Sequence, residues 1–320
     1  MAKDISQNVG AFKNFLTTGV ATIPGSDVNL ADTLETCVGA LGTSPTMGGG
    51  NVYWAIQDTE SFYAQFLLDH PGTYPDGSAK VYTTIQGAID ACTANRGDIV
   101  YVVGEWTSAV TITLNKWGTS LIGATNWNNI TGGGNSNITC TGAGIATLTV
   151  TKAKCHVENL VLYANGTGAT KGIEFASSVP SQAIIRNIEI VKNGGDSAAG
   201  YGICGTTVPV RACFENIKIT GNTSHSLKWA VGIQSASYGC VWKNIIISDT
   251  SSQAFYNVGT SSDVFYNITC LPSCATGLQI GGTDAGSSVI QQCHVLAGIP
   301  GTSTAIISES YIAGLSAYTG

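Results

Sequence analysis

An all-β solenoid, a parallel β-helix with a capping helix and an N-terminal arm, is the fold this sequence predicts, and three observations predict it. The first is a repeated asparagine followed by an alternating apolar run. It reads Glu158-Asn159-Leu160-Val161-Leu162, Arg186-Asn187-Ile188-Glu189-Ile190, Glu215-Asn216-Ile217-Lys218-Ile219, Lys243-Asn244-Ile245-Ile246-Ile247 and Tyr266-Asn267-Ile268-Thr269-Cys270. The asparagines lie 28, 29, 28 and 23 residues apart, and a worn copy follows at Gln291-Gln292-Cys293-His294-Val295. A unit of that length with one short strand at a fixed place is the signature of stacked coils. The second observation is another apolar segment in each unit: Gly172-Ile173-Glu174-Phe175, Gly202-Ile203-Cys204, Gly232-Ile233-Gln234, Ala254-Phe255-Tyr256 and Gly277-Leu278-Gln279-Ile280. The third is what separates these segments, runs of Gly, Ser, Thr and Asn with no helical periodicity.

Stacking puts equivalent residues of successive coils about 4.8 Å apart. Asn159, Asn187, Asn216, Asn244 and Asn267 then form an amide ladder, each side chain bonding the next. The preceding residues, Glu158, Arg186, Glu215 and Lys243, alternate in sign along a solvent edge, which the same register makes favourable. One residue further back, Val157, Ile185, Phe214, Trp242 and Phe265 form an apolar stack expected in the core.

Taken in order, residues 1–50 read as an arm or anchor, with one short helix over 27–41 and a Gly-rich linker at 42–50. Residues 51–80 read as a neck and cap region, helical from Ser61 to Asp69 and ended by His70-Pro71-Gly72. Residues 82–92 predict an amphipathic helix with Ile85, Ala88, Ile89 and Cys92 on one face. Buried strands follow at 97–104, 110–114 and 120–123. Residues 81–320 are assigned to the β-helix, whose far end the short apolar segment 311–320 caps only with a partner's help.

The run Thr84-Ile85-Gln86-Gly87-Ala88-Ile89-Asp90-Ala91-Cys92, then Gly97-Asp98-Ile99-Val100-Tyr101-Val102-Val103, Val110–Lys116 and Ser120–Ala124, resembles the opening of the pectate-lyase-like right-handed β-helix superfamily. With the Asn repeats the resemblance covers about residues 81–315. It implies a right-handed, single-stranded parallel β-helix whose first coil is capped by the helix. The superfamily hosts lyases, hydrolases, adhesins and phage spike and decoration proteins, so the resemblance speaks to fold rather than activity. The chain is most like the virion-associated members.

Composition excludes several functions. The formal charge of −6 is uneven: residues 1–98 hold ten acidic and four basic side chains, and 99–320 hold ten of each. The solenoid is therefore neutral and offers no basic face for nucleic acid. No apolar run reaches the length of a membrane span, and no secretory leader is expected at the N-terminus. The ten cysteines are then expected as free thiols. Cys155 and Cys240 share a column with Ala183 and Ala212 as small core residues. Cys270, Cys274, Cys293 and His294 have zinc-like spacing, but inward strand positions favour buried thiols over metal.

The carboxylates open to catalysis are Asp98, Glu105, Glu158, Glu174, Glu189, Asp196, Glu215, Asp249, Asp263, Asp284 and Glu309. Glycoside hydrolysis needs a pair about 5–10 Å apart. Glu158 and Glu215 meet that spacing by strand count, but Arg186 between them neutralises both. No adjacent aspartates suit calcium, so no catalytic, cofactor or metal residue is assigned. Trp106, Trp117, Trp127 and Trp229 fall in or near turns, where they could stack on sugars or cover coil edges. The resulting expectation is a bacteriophage virion structural protein: a capsid decoration, head-fibre or short spike subunit, made in the host cytoplasm. It is expected to self-associate and to bind other virion proteins through its N-terminal region. The alternative is a β-helix that binds or degrades a surface polysaccharide.

Overall fold

The computed structural model describes residues 49–124, 136–176, 181–194, 200–205, 209–222, 224–225, 227–280, 289–295, 306–308 and 311–312. The chain divides into two compact units, Met1–Gly50 and Asn51–Gly320. The helix expected over 27–41, and all but the last two residues of the arm, lie outside the described residues. So do Trp127, Asp196, Asp284, Glu309 and most of the segment 311–320.

The unit Asn51–Gly320 is a parallel β-solenoid of about seven turns. A 15-stranded sheet carries the Asn column; its path runs from Val52–Ala55 through His156–Ala164, Ile184–Val191, Cys213–Thr220, Val241–Ser248 and Val264–Cys270 to Ile306–Ser308. A 7-stranded sheet runs from Ile112–Leu114 to Thr276–Ile280. The asparagines sit inside their strands, and each is left-handed, with φ between 53° and 57°. That conformation bends the strand, because one residue turned to positive φ redirects the chain without breaking the pairing on either side. Arg186 pairs with Glu158 and Glu215 before the bend, and Ile188 with Leu160 and Ile217 after it. In earlier coils the two arms are separate strands: Ser120–Gly123 pairs with the first half of His156–Ala164, Asn137–Cys140 with the second. Asparagine tolerates this conformation far better than a branched or bulky side chain does.

The apolar column two residues before each Asn is fully buried, and it runs further than the repeats suggest. Tyr53, Val100 and Leu121 precede Val157, Ile185, Phe214, Trp242 and Phe265, and Ile290 follows. Phe214 and Trp242 stack at 3.8 Å and 3°, and Trp242 and Phe265 lie parallel at 6.5 Å. The second sheet closes this core with Ile173, Ile203, Val231 and Phe255 in one column. Here the sequence register needs correction. Gly232 pairs with Cys204 rather than standing level with Gly202, so the third unit is displaced by two residues. Val231 and Ile233 are both apolar and both buried, so pattern alone could not choose between them. The ladder to the preceding strand is irregular at Gly200/Tyr201, opposite Leu227 and Trp229, and the shifted register holds beyond it. The column beside it must be small: a Cβ on Gly172 or Gly202 would come within 2.4 or 2.6 Å of Ile190 or Ile219 on the facing arm.

A second corner, between the two sheets, is left-handed as well. Gly118, Lys154, Gln182, Arg211, Gly239 and Ser262 have φ between 52° and 69°. Each is followed by a fully buried residue: Thr119, Cys155, Ala183, Ala212, Cys240 and Asp263.

The N-terminal end departs from simple stacking. Val52–Ala55, in the stretch expected as neck, is part of the sheet and lies between Val81–Tyr82 and Ile99–Val102. Helix α1 (Tyr63–Asp69) buries none of its residues, and it reaches this sheet through Phe66 and His70, which pack on Trp54. Helix α2 (Ile85–Ala91) starts at Thr84, whose hydroxyl accepts the Gly87 N–H. It lays Ile85, Ala88 and Ile89 over the first coil, covering what would be an open end.

Candidate functional site

The described carboxylates are spread along the solenoid and tied to basic or polar neighbours. Glu158 and Arg186 meet at 2.8 Å, Glu215 and Lys243 at 2.8 Å, Glu189 and Lys218 at 2.7 Å. Each pair joins adjacent coils, which is what the alternating signs require. The Glu158 bond raises the pKa of Arg186, and the Glu215 bond that of Lys243. Glu174 takes Lys171 at 2.5 Å within its own strand. Burial lowers the pKa of His156, with Glu158 opposing; its Nε2 lies 3.1 Å from a Glu158 oxygen without hydrogen-bond geometry. Glu105 is exposed and accepts from Asn137 Nδ2 at 3.3 Å. Asp249 occupies a left-handed link between two strands.

Two of the described carboxylates are buried, and both work as staples. Asp98 accepts from Arg96 Nε at 2.6 Å and Nη2 at 2.8 Å, and from the backbone N–H of Asn51 and Thr93. It thereby pins the start of the first strand to the end of α2. Arg96 also reaches Asp76 at 3.0 Å, and hydrogen bonds from Ser78 and Arg96 hold that exposed carboxyl down at about 2. Asp263 accepts from Ser237 Oγ and from the Cys240 N–H, and Asn257 Nδ2 donates to the same Ser237 hydroxyl at 2.7 Å. Burial raises the Asp263 pKa against these donors. A buried charge needs such full pairing to be tolerated.

The tryptophans divide. Trp106, expected in an exposed turn, is buried in the strand Glu105–Ser108 and donates its indole N–H to the Val103 carbonyl at 3.0 Å. The alternating Trp106 and Ser108 of a two-sided strand hid this. Trp117 is exposed. Trp229 is half-buried on the outer face of the second sheet, stacked on Tyr256 at 4.6 Å with Tyr201 edge-on at 5.4 Å. Its neighbours already occupy a ring face, which leaves little of the platform a sugar needs.

The nine described cysteines are free, and all but Cys213 are buried. Burial pushes the thiols of Cys92, Cys204 and Cys240 up to about 12, and those of Cys155 and Cys293 to about 11. Several bond the coil below: Cys155 Sγ donates to the Lys116 carbonyl at 3.3 Å, and Cys240 Sγ to that of Pro209 at 3.3 Å. Cys270, Cys274 and Cys293 are neighbours in the core, and among the described residues no group of three or more His, Cys, Asp or Glu is placed to hold a metal ion.

One concavity was not legible in the sequence. A groove of about 450 Å³ opens beside the start of α2, lined by Gln57, Asp58, Thr59, Thr107 and Thr111 above Trp106. Its hydroxyls come from stretches far apart in the chain, 57–59, 83–86 and 106–112, each unremarkable alone. Among the described residues no helix is long and apolar enough to cross a membrane.

No family model matches the chain, and no curated protein does. Among solved structures it is similar to "Geobacillus virus E2 - ORF18", 14% identical over 93% of this chain and 67% of that one, with a TM-score of 0.35. A likeness that loose carries no argument about function.

Proposed function

We propose that this chain is a structural protein of a bacteriophage virion, a capsid decoration, head-fibre or short spike subunit on the pectate-lyase-like plan. Residues 1–50 anchor it to another virion protein, and the solenoid projects from or covers the particle. The observation that supports this reading best is the use of charge. Glu158, Glu189 and Glu215 each bond a cation of the next coil, so the acidic groups strengthen a rod instead of converging on a substrate. Such pairs contribute little individually in water, but repetition along one edge fixes register. Immuno-electron microscopy of purified particles tests the assignment, with regular labelling of the particle expected. Deleting residues 1–50 should abolish incorporation and leave the solenoid's circular dichroism unchanged. A truncated protein that still decorates particles would remove the anchor role.

A second reading, binding or cleavage of a surface polysaccharide, is favoured by the groove beside α2, where hydroxyls and Asp58 face an aromatic floor. It requires oligosaccharide binding or release that Asp58→Asn abolishes.

A further inference from the structure

The outer face of the Asn-bearing sheet, before the bend, carries two parallel columns. One is apolar: Ile184, Cys213, Val241, Val264 and Val289 stand level in successive coils. Ile184 is 41% exposed and the other four are half-buried. The column spans roughly 20 Å by strand spacing. The other column is Glu158, Arg186, Glu215 and Lys243. Toward the N-terminus the same face continues as Trp54 and Tyr101, and there α1 covers it through Phe66 and His70. Past those coils, among the described residues, no helix covers the apolar column.

We infer that this face binds a second copy of the chain, antiparallel, about a two-fold axis passing between the Arg186 and Glu215 coils. Charge selects the occupant and its direction. The column reads minus, plus, minus, plus, and reversed it reads plus, minus, plus, minus. A two-fold therefore sets Glu158 against Lys243 of the other copy and Arg186 against its Glu215, so opposite signs meet at every level. A parallel pair joined through this same patch by a closed symmetry operation has no axial shift. It would carry the two charged columns to opposite sides of the shared apolar column, where neither meets an opposite charge, so a parallel pair forgoes every ion pair of the antiparallel one. Period argues the same way, since a stripe with one aliphatic side chain per coil is matched by another stripe of equal repeat. The apolar column supplies the centre and the charged column the rim. Because a stable interface needs about 800 Å² per partner, a stripe this narrow gives a reversible, concentration-dependent dimer.

Sedimentation of the full chain tests this, with a mass rising from one chain of 33.0 kDa toward two as concentration increases. Arg186→Glu with Lys243→Glu makes the column wholly negative, and Glu158→Lys with Glu215→Lys makes it wholly positive. Each protein alone should associate about tenfold or more weakly, and mixing the two should restore the dimer. Restoration also shows that both variants are folded. Orientation is read separately in a Cys213→Ser background: His156→Cys protein mixed with Val241→Cys protein should cross-link to each other through a short bismaleimide, and neither to itself. A wild-type chain that stays monomeric, charge variants that associate like wild type, mixing that restores nothing, or cross-links joining like to like would each overturn the proposal.

Discussion

The two left-handed corners of each coil solve one backbone problem in different ways. At the first, every repeat from Asn159 to Asn267 uses asparagine. At the second, the same conformation is filled by Lys154, Gln182, Arg211, Gly239 and Ser262, most of them exposed. The difference lies in where the side chain goes. At the first corner it turns along the stack, and each amide donates to the one before: Asn187 to Asn159 at 3.1 Å, Asn216 to Asn187 at 3.0 Å, Asn244 to Asn216 at 2.8 Å and Asn267 to Asn244 at 2.9 Å. At the second corner most of the side chains face water, and their chemical type varies from coil to coil. What is fixed there is the next position, which points inward and must be small or fully bonded, as Ala183, Ala212, Cys240 and Asp263 are.

This contrast makes ordered predictions for equilibrium unfolding in denaturant. Ala212→Leu, at the second corner, should cost about 3 kcal/mol, because the site has no room and the strands on either side hold their register. Asn216→Leu should cost about 2 kcal/mol, through two lost amide bonds and a left-handed residue that resists the conformation. Asn216→Gly keeps the conformation and loses only the bonds, so about 1 kcal/mol is expected. Equal losses for the two Asn216 variants would mean that ladder bonding alone selects asparagine.

Asp263→Asn distinguishes a fully bonded inward group from a merely small one. Burial raises the folded-state pKa of Asp263 above its ordinary value, so the folded protein holds that proton more tightly than the unfolded chain does. The stabilisation is whole below about pH 4 and is lost as pH rises through the folded value. Thermal unfolding against pH should show that loss in wild type and not in Asp263→Asn. The smallest effect is expected for Arg211→Gly, a gain below about 0.5 kcal/mol as relief of the left-handed strain is offset by glycine's extra freedom when unfolded. A large change there would mean that the second corner reads its side chain after all.

The same contrast explains what was legible beforehand. The Asn column could be read because the residue that bends the chain also bonds its copies, so one residue type recurs at one spacing. The second corner is silent in the sequence because left-handed backbone accepts Lys154, Gln182 and Ser262 alike, and a string of unlike polar residues leaves no pattern. The segments of the second sheet align well enough to count coils, but in the third unit Gly232 draws the alignment two residues off, since Val231 and Ile233 are equally apolar. Trp106 reads as a surface residue in the sequence because its strand is only four residues long and lies between glycine- and serine-rich stretches. The groove beside α2 could not have been seen, because only folding brings Asp58 and Thr107 to one place.

Every rung of the amide ladder points the same way. Amide dipoles aligned head to tail add, as peptide dipoles do in an α-helix, and each polarises the next. The rod thus has a donor end toward Asn159 and an acceptor end toward Asn267. A finished coil always presents an unfilled carbonyl oxygen to the coil that follows, and that coil arrives with an N–H to fill it. The stack is therefore polar: each turn offers the next an acceptor already in register, in the direction the chain itself runs.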